Sequence, residues 1–107
     1  MKQLTKNLLK MKFNGIDLAD VSKIEFAFSQ NINSTPLKVA EYPGDGVIDL
    51  DNNVLGVIWT PEETALFEGG KTFFADTRIT MKDTEYQPET PILRLTMNPT
   101  LFDGVVI

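Results

Sequence analysis

The chain has 107 residues and a formal net charge of −5, and it contains neither cysteine nor histidine. Its length suits one domain, which we expect to span residues 1–107. The net charge and the scattered basic residues argue against nucleic-acid binding, since clustered lysine and arginine bind a phosphate backbone. Without cysteine or histidine, the chain has no disulfides, no thiolate or imidazole metal ligands and no usual nucleophile–base pair.

Three strands are predicted in the first part of the chain. Thr5–Phe13 alternates apolar and polar residues, which favours a strand, although the spacing of its apolar residues also permits a helix. Ser22–Gln30 alternates strictly, as a half-buried strand does. Leu37–Glu41 is predicted to be a short strand whose Leu37 and Val39 side chains face the core.

Two further strands are predicted at Val47–Leu50 and Val54–Trp59. The second is apolar almost throughout, which is typical of a central strand covered on both faces. Trp59, the only tryptophan, ends this strand. We interpret it as an anchor of the hydrophobic core, because large aromatic side chains are mostly buried, with a ligand platform as the alternative.

A short helix is predicted over about residues 61–67. Thr60 suits the N-cap, the proline after it suits the first helical position, and Glu63 completes a capping box. The helix is expected to bury Leu66 and Phe67. The two glycines that follow are expected to end it.

The last two predicted strands are Lys71–Met81 and Ile92–Met97, each with alternating apolar residues. With the five strands before them, they make seven strands and one short helix, separated by turns about every ten residues. This rhythm predicts an all-β, antiparallel, immunoglobulin-like β-sandwich.

Two arginines and an apolar tail are the candidate interface residues. Arg78 and Arg94 lie in the middle of strands on the side opposite the apolar one, where each either pairs with a neighbour such as Asp76 or anchors an interface. The tail ends with five large apolar residues, which either complete the domain's own sheet or add to a neighbouring subunit. These residues are Leu101, Phe102, Val105, Val106 and Ile107.

Carboxylates offer the only remaining catalytic or metal chemistry. Asp49, Asp51, Asn52 and Asn53 resemble the start of a calcium loop, but Val54 stands where the loop needs glycine, so a polar turn is the preferred interpretation. The adjacent acidic residues at the start of the helix are explained by capping and do not face each other as an acid/base pair does. We therefore expect no catalytic residues, no metal and no cofactor.

No segment of the sequence predicts membrane insertion or export. The longest apolar runs are far shorter than a bilayer-spanning helix requires. Met1–Phe13 lacks both the continuous apolar region and the cleavage site of a signal peptide. We therefore expect no membrane partner and no secretion by a signal peptide.

Trp59–Phe67, followed by two glycines and the strand Phe73–Thr80, resembles a pattern in small phage and prophage proteins of Gram-positive bacteria. Several of these are tail or baseplate proteins with immunoglobulin-like sandwich modules, including the N-terminal domain of upper baseplate proteins. The resemblance extends from Val21 to Phe102. Its motifs are structural and carry no functional residues across. It implies a virion structural or accessory protein that assembles with itself or with other phage proteins, located in the virion or the host cytoplasm.

Two other functions stay open on the sequence. A small acidic phage protein could inhibit a host enzyme by covering a basic surface, which the net charge permits. A carbohydrate-binding module would need exposed aromatic residues, for which Trp59, Tyr42 and Tyr86 are the candidates.

Overall fold

The computed structural model describes residues 1–32 and 34–98, within which it has seven strands and one α-helix. A short 3₁₀ turn, Leu18–Asp20, lies before the second strand. The helix, α1, spans Pro61–Ala65. The strands are β1 (Asn7–Lys12), β2 (Val21–Ser29), β3 (Lys38–Tyr42), β4 (Val47–Asp49), β5 (Val54–Trp59), β6 (Lys71–Met81) and β7 (Leu93–Met97).

These strands form two antiparallel sheets, in the orders β1–β5–β4 and β3–β2–β6–β7. The facing sides of the sheets share one hydrophobic core, so the prediction of an all-β antiparallel sandwich with one short helix is confirmed. An immunoglobulin constant domain places its second strand between the first and the fifth. Here β2 lies between β3 and β6. The chain therefore shares the sandwich architecture of immunoglobulin domains but differs from the constant domain in strand order.

Alternation along β2 and β6 supplies one side of the core. Ile24, Phe26 and Phe28 of β2 are at most 1% exposed, and Phe73 and Ile79 of β6 are equally buried. Fully burying a side chain of this size contributes about 1.5–3 kcal/mol, so these positions hold the sheet against its partner. The alternation of buried apolar and outward, mainly polar residues that the sequence predicts for both strands is confirmed.

Trp59, at the end of β5, occupies the centre of an aromatic cluster and is fully buried. Its ring meets those of Phe28, Phe67 and Phe73 edge-on, with centroids 4.9, 5.3 and 5.6 Å away. Edge-to-face pairs of this kind are favourable beyond the area that they bury. The interpretation of Trp59 as a core anchor is confirmed.

The predicted inward face of β3 is wrong by one residue. Val39 is 70% exposed and Leu37 42% exposed, whereas Lys38 is only 7% exposed. Lys38 lies directly opposite Phe28 on β2. Opposed residues of paired strands share a face, so the inward Phe28 places Lys38 inward as well.

Lys38 is accommodated in the core by two neighbours. Its Nζ lies 5.2 Å from the centroid of the Trp59 ring, which is within reach of a cation–π interaction. The same atom donates a hydrogen bond to Glu63 Oε2 at 2.5 Å. An ionised carboxylate compensates the buried charge, so this strand keeps a lysine where an apolar residue was predicted.

The predicted capping box of α1 is confirmed. The Thr60 hydroxyl accepts a hydrogen bond from the Glu63 amide, and the Glu63 carboxylate accepts one from the Thr60 amide. Phe67 is buried as predicted, but Leu66 is 58% exposed. Because α1 ends at Ala65, Leu66 stands at its C-cap and only Phe67 turns back to the core. No helix among the described residues is long and apolar enough to cross a membrane.

The fully buried Thr64 links α1 to the N-terminal segment. Its Oγ1 donates to the Pro61 carbonyl and accepts from the Leu4 amide, both at 2.9 Å. A buried amide without an acceptor lowers the stability of the folded state, so the Thr64 hydroxyl stabilises the fold by accepting from the Leu4 amide.

We therefore expect Thr64→Val to lower the free energy of unfolding by about 1–3 kcal/mol, because it keeps the shape of the side chain and leaves the Leu4 amide without its acceptor. Urea denaturation followed by Trp59 fluorescence measures the change. Thr64→Ser, which keeps the hydroxyl, is the matched control and is expected to lose less. Equal stability of the wild-type protein and Thr64→Val would contradict this role.

Glu63 also makes stability depend on pH. Burial opposes its ionisation, but hydrogen bonds from Lys38 and Thr60 together outweigh burial and leave the pKa of Glu63 below its usual range. A lowered folded-state pKa gives a stabilising contribution that is complete above the unfolded-state pKa and is lost as the pH falls through the folded-state value.

We expect Glu63→Gln to be less stable than the wild-type protein at neutral pH, with the difference shrinking as the pH falls below about 4. Thermal melts of both proteins across this range test it. A difference that stays constant down to acidic pH would show that the charge of Glu63 does not contribute.

Candidate functional site

The outward side chains of the four-stranded sheet form the surface that we call the front face. They alternate with the core positions of β2, β3, β6 and β7, so the pleat of the sheet turns them away from the Trp59 cluster. The front face includes Lys23, Glu25, Ala27, Val39, Glu41, Phe74, Asp76, Arg78 and Arg94. Lys23 is paired with Glu25 at 3.6 Å.

A shallow depression of about 680 Å³ lies in the front face. Val39 and Ala27, which are directly opposed on β3 and β2, give it an apolar centre. Three carboxylates and one guanidinium surround that centre, a formal sum of −2. Exposed apolar surface ringed by charge is the composition of many protein-binding surfaces.

Arg78 and Glu25 form a bidentate ion pair across β6 and β2. Arg78 Nε and Nη2 donate to the two carboxylate oxygens of Glu25 at 2.9 and 2.8 Å. The sequence suggested Asp76 as the partner of Arg78, but Glu25 lies directly opposite in the register and is therefore closer. Arg78 lowers the pKa of Glu25, mainly through these hydrogen bonds, and Glu25 raises the pKa of Arg78.

Arg94 lies on the same face, opposite Phe74. Its guanidinium carbon is 5.7 Å from the centroid of the Phe74 ring, a cation–π arrangement. Phe74 and Arg78 are four residues apart on β6, which separates the two arginines by about 13 Å along the strand. The structure thus places both predicted arginines on the front face, each held by a different neighbour, and their role as interface anchors stays a prediction.

The other predicted interface residues, Leu101, Phe102, Val105, Val106 and Ile107, lie outside the described residues. Sequence reasoning missed Val39, the most exposed large apolar residue of the front face, because it assigned Val39 to the core. The pairing of Lys38 with Phe28 was the missing information, and hydropathy alone does not contain it.

The acidic turn between β4 and β5 has a structural role. Asp51, Asn52 and Asn53 have φ values of 69°, 55° and 60°, a conformation that Asn and Asp tolerate best. The Asn53 side chain bridges the Ile16 carbonyl and the Leu18 amide, which holds the preceding loop. Within residues 1–32 and 34–98, no three acidic side chains are grouped to hold a metal ion.

The aromatic residues considered for sugar binding differ in exposure. Trp59 is fully buried and offers no ring face to a ligand. Tyr42 is half-buried and its hydroxyl lies 3.4 Å from Asp49 Oδ2; partial burial and then this carboxylate raise its pKa. Tyr86 is exposed. The main aromatic candidate for a sugar platform is therefore enclosed in the core.

Removing Arg78 is expected to raise the pKa of Glu25 towards its ordinary value, because the bidentate hydrogen bonds that favour the carboxylate are lost. An NMR titration of the Glu25 carboxyl carbon in Arg78→Ala measures the shift. Arg94→Ala, which removes an arginine of the same face that does not contact Glu25, should leave the titration unchanged. An unaltered pKa in Arg78→Ala would show that the ion pair does not persist in solution.

Comparisons of the chain with protein-family models, with curated proteins and with solved structures give no match. The geometry and the charge of the front face, together with the resemblance carried by Trp59–Thr80, are therefore the features of the chain that bear on its function.

Proposed function

We propose that this chain is a non-enzymatic structural or accessory protein of a phage or prophage particle, of the tail or baseplate type, that binds other proteins through its front face. The sandwich architecture agrees with the modules that the sequence resembles. The front face offers an apolar centre, two arginines and a shallow surface, which suit a protein partner better than a small molecule.

The observation that carries this proposal is the outward position of Val39. A valine that is 70% exposed on the edge strand β3 contributes little to the hydrophobic core, whereas its neighbour Lys38 is enclosed. Covering Val39 and Ala27 with a partner removes apolar area from water, which favours association by about 25 cal/mol per Å² before the costs of binding. Arg78 lines the depression and Arg94 lies further along the same face, and arginine is enriched among residues that dominate binding energy.

The protein is therefore expected to be present in purified particles of the phage or prophage that carries its gene. Val39→Asp places a charge in the apolar part of the depression and should reduce incorporation strongly. Leu66→Asp is the matched control, since Leu66 is also an exposed apolar residue but lies at the end of α1, away from this face. Mass spectrometry of gradient-purified particles measures both variants, and thermal melts verify that each is folded.

Two outcomes would contradict the proposal. Complete absence of the wild-type protein from particles, with all of it free in the host cytoplasm, would favour the inhibitor of a host enzyme. Equal incorporation of Val39→Asp and the wild-type protein would show that another surface makes the contact.

A further inference from the structure

The outward side chains of the three-stranded sheet form a second surface, opposite the front face, which we call the back face. It consists of Leu8, Lys10, Lys12, Ile48 and Ile58. Leu8 and Ile48 are 41% and 43% exposed. Between them lies Gly56, where an added Cβ would come within 2.7 Å of the Leu8 side chain, so Leu8 folds over the bare backbone of β5.

The back face is basic in a chain whose net charge is −5. On the outward positions of β1, β4 and β5, the charged residues are Lys10 and Lys12, and Lys6 immediately precedes β1. Both strand lysines are exposed, and neither has an ion-pair partner in the described part of the chain. An apolar strip edged by unpaired positive charge suits a partner that is apolar and acidic.

The front face has this complementary composition. Glu41 and Asp76 are exposed beside Val39, and among the described residues neither is part of an ion pair. Arg78 neutralises Glu25, which leaves these two carboxylates as the uncompensated charges of the depression. The depression of the front face thus combines apolar side chains with unpaired negative charges, and the back face combines apolar side chains with unpaired positive charges. Arg94 lies outside this depression, against Phe74.

We propose that the partner of the front face is the back face of a second copy of this chain. This inference rests on the proposed function and names its partner. Lys10 and Lys12 of one copy meet Glu41 and Asp76 of the next, while Leu8 covers Val39. Since the two faces are on opposite sides of the sandwich, each copy that binds one neighbour keeps its other face free, and association continues into a ring or a filament.

The size of the back face predicts a weak contact. Two strands of six residues and one of three cover at most about 14 by 20 Å, which is well below the roughly 800 Å² per partner of a stable complex. The association should therefore need high protein concentration, and salt should weaken it because the charges are exposed. An anionic membrane is the less favoured occupant, since lipid-binding segments have about 4–8 clustered basic residues.

Charge reversal on each face tests the contact. The back-face variant carries Lys10→Glu and Lys12→Glu, and the front-face variant carries Glu41→Lys and Asp76→Lys. Analytical ultracentrifugation of the full chain at low salt should show that the wild-type protein self-associates. Each variant alone should associate more than about tenfold more weakly, because like charges then face each other. Asp83→Lys with Glu85→Lys, in the exposed loop after β6, is the charge-matched control and should associate at least as well as the wild-type protein.

Mixing the variants separates a front-to-back contact from a symmetric one. The back-face variant keeps an intact front face, the front-face variant keeps an intact back face, and their two reversed faces are also of opposite charge. The equimolar mixture should therefore associate and grow by alternation of the two variants. A one-to-one complex that does not grow would indicate a symmetric contact between front faces and would overturn the inference. Combining all four reversals in one chain should restore self-association.

Four further outcomes would overturn this inference. In the first, the wild-type chain stays monomeric at about millimolar concentration. In the second, one of the charge-reversal variants associates as the wild-type protein does, and in the third the mixture of variants forms no complex. In the fourth, the chain is monomeric and its lysines bind only vesicles with anionic lipid. A monomeric chain that is nevertheless found in particles would reject the second copy as the partner and leave the proposed function standing.

Discussion

The burial of the Trp59 ring is the interaction on which the rest of the structure depends. The ring comes from β5 in one sheet and contacts Phe28 and Phe73 of the other, and Phe67 brings the chain after α1 against it. Lys38 covers it from β3. Because Lys38 is held inward, Val39 must point outward, so the chemistry of the front face follows from what the core requires.

The features that could be predicted from the sequence are those that local pattern determines. Strict alternation in β2 and β6 and the capping box at Thr60 gave the strands, the helix and the outward position of Arg78. The errors about Lys38 and Arg78 depend on distant contacts, whereas the error about Leu66 depends on where α1 ends. The inward position of Lys38 follows from its pairing with Phe28, and the partner of Arg78 follows from a register that joins residues 53 positions apart. Neither pairing can be predicted from the hydropathy of the sequence. The burial of Thr64 likewise depends on a distant residue, since its hydroxyl accepts from the Leu4 amide.

In the proposed assembly, a small sandwich uses its two outer faces as interaction surfaces and needs no deep pocket. The core uses one side of each sheet, and the other sides are free to differ in charge at little cost to stability, since exposed charges contribute little to folding. A face of this size binds weakly as a single contact. Weak contacts become effective where many copies are held close together, because each further contact is then intramolecular. A repeated particle component meets that condition, and an isolated inhibitor does not.

The joining of Met1–Gln3 to the end of β7 has a consequence for how the protein is made. The Met1 amino group donates to the Thr96 carbonyl, 95 positions away, and the Gln3 amide donates to Asn98. Contacts between such distant residues form late, because the intervening chain must first be brought together. During synthesis, the backbone hydrogen bonds of Met1–Gln3 cannot form until residues 96–98 have left the ribosome, whereas the Gln3 side chain and the Leu4 amide have partners in Phe67 and Thr64. Until then β6 also lacks β7, and its open edge is exposed to other chains. Translation speed over the codons for residues 71–98 should therefore affect the yield of folded protein more than speed over the codons that precede β2.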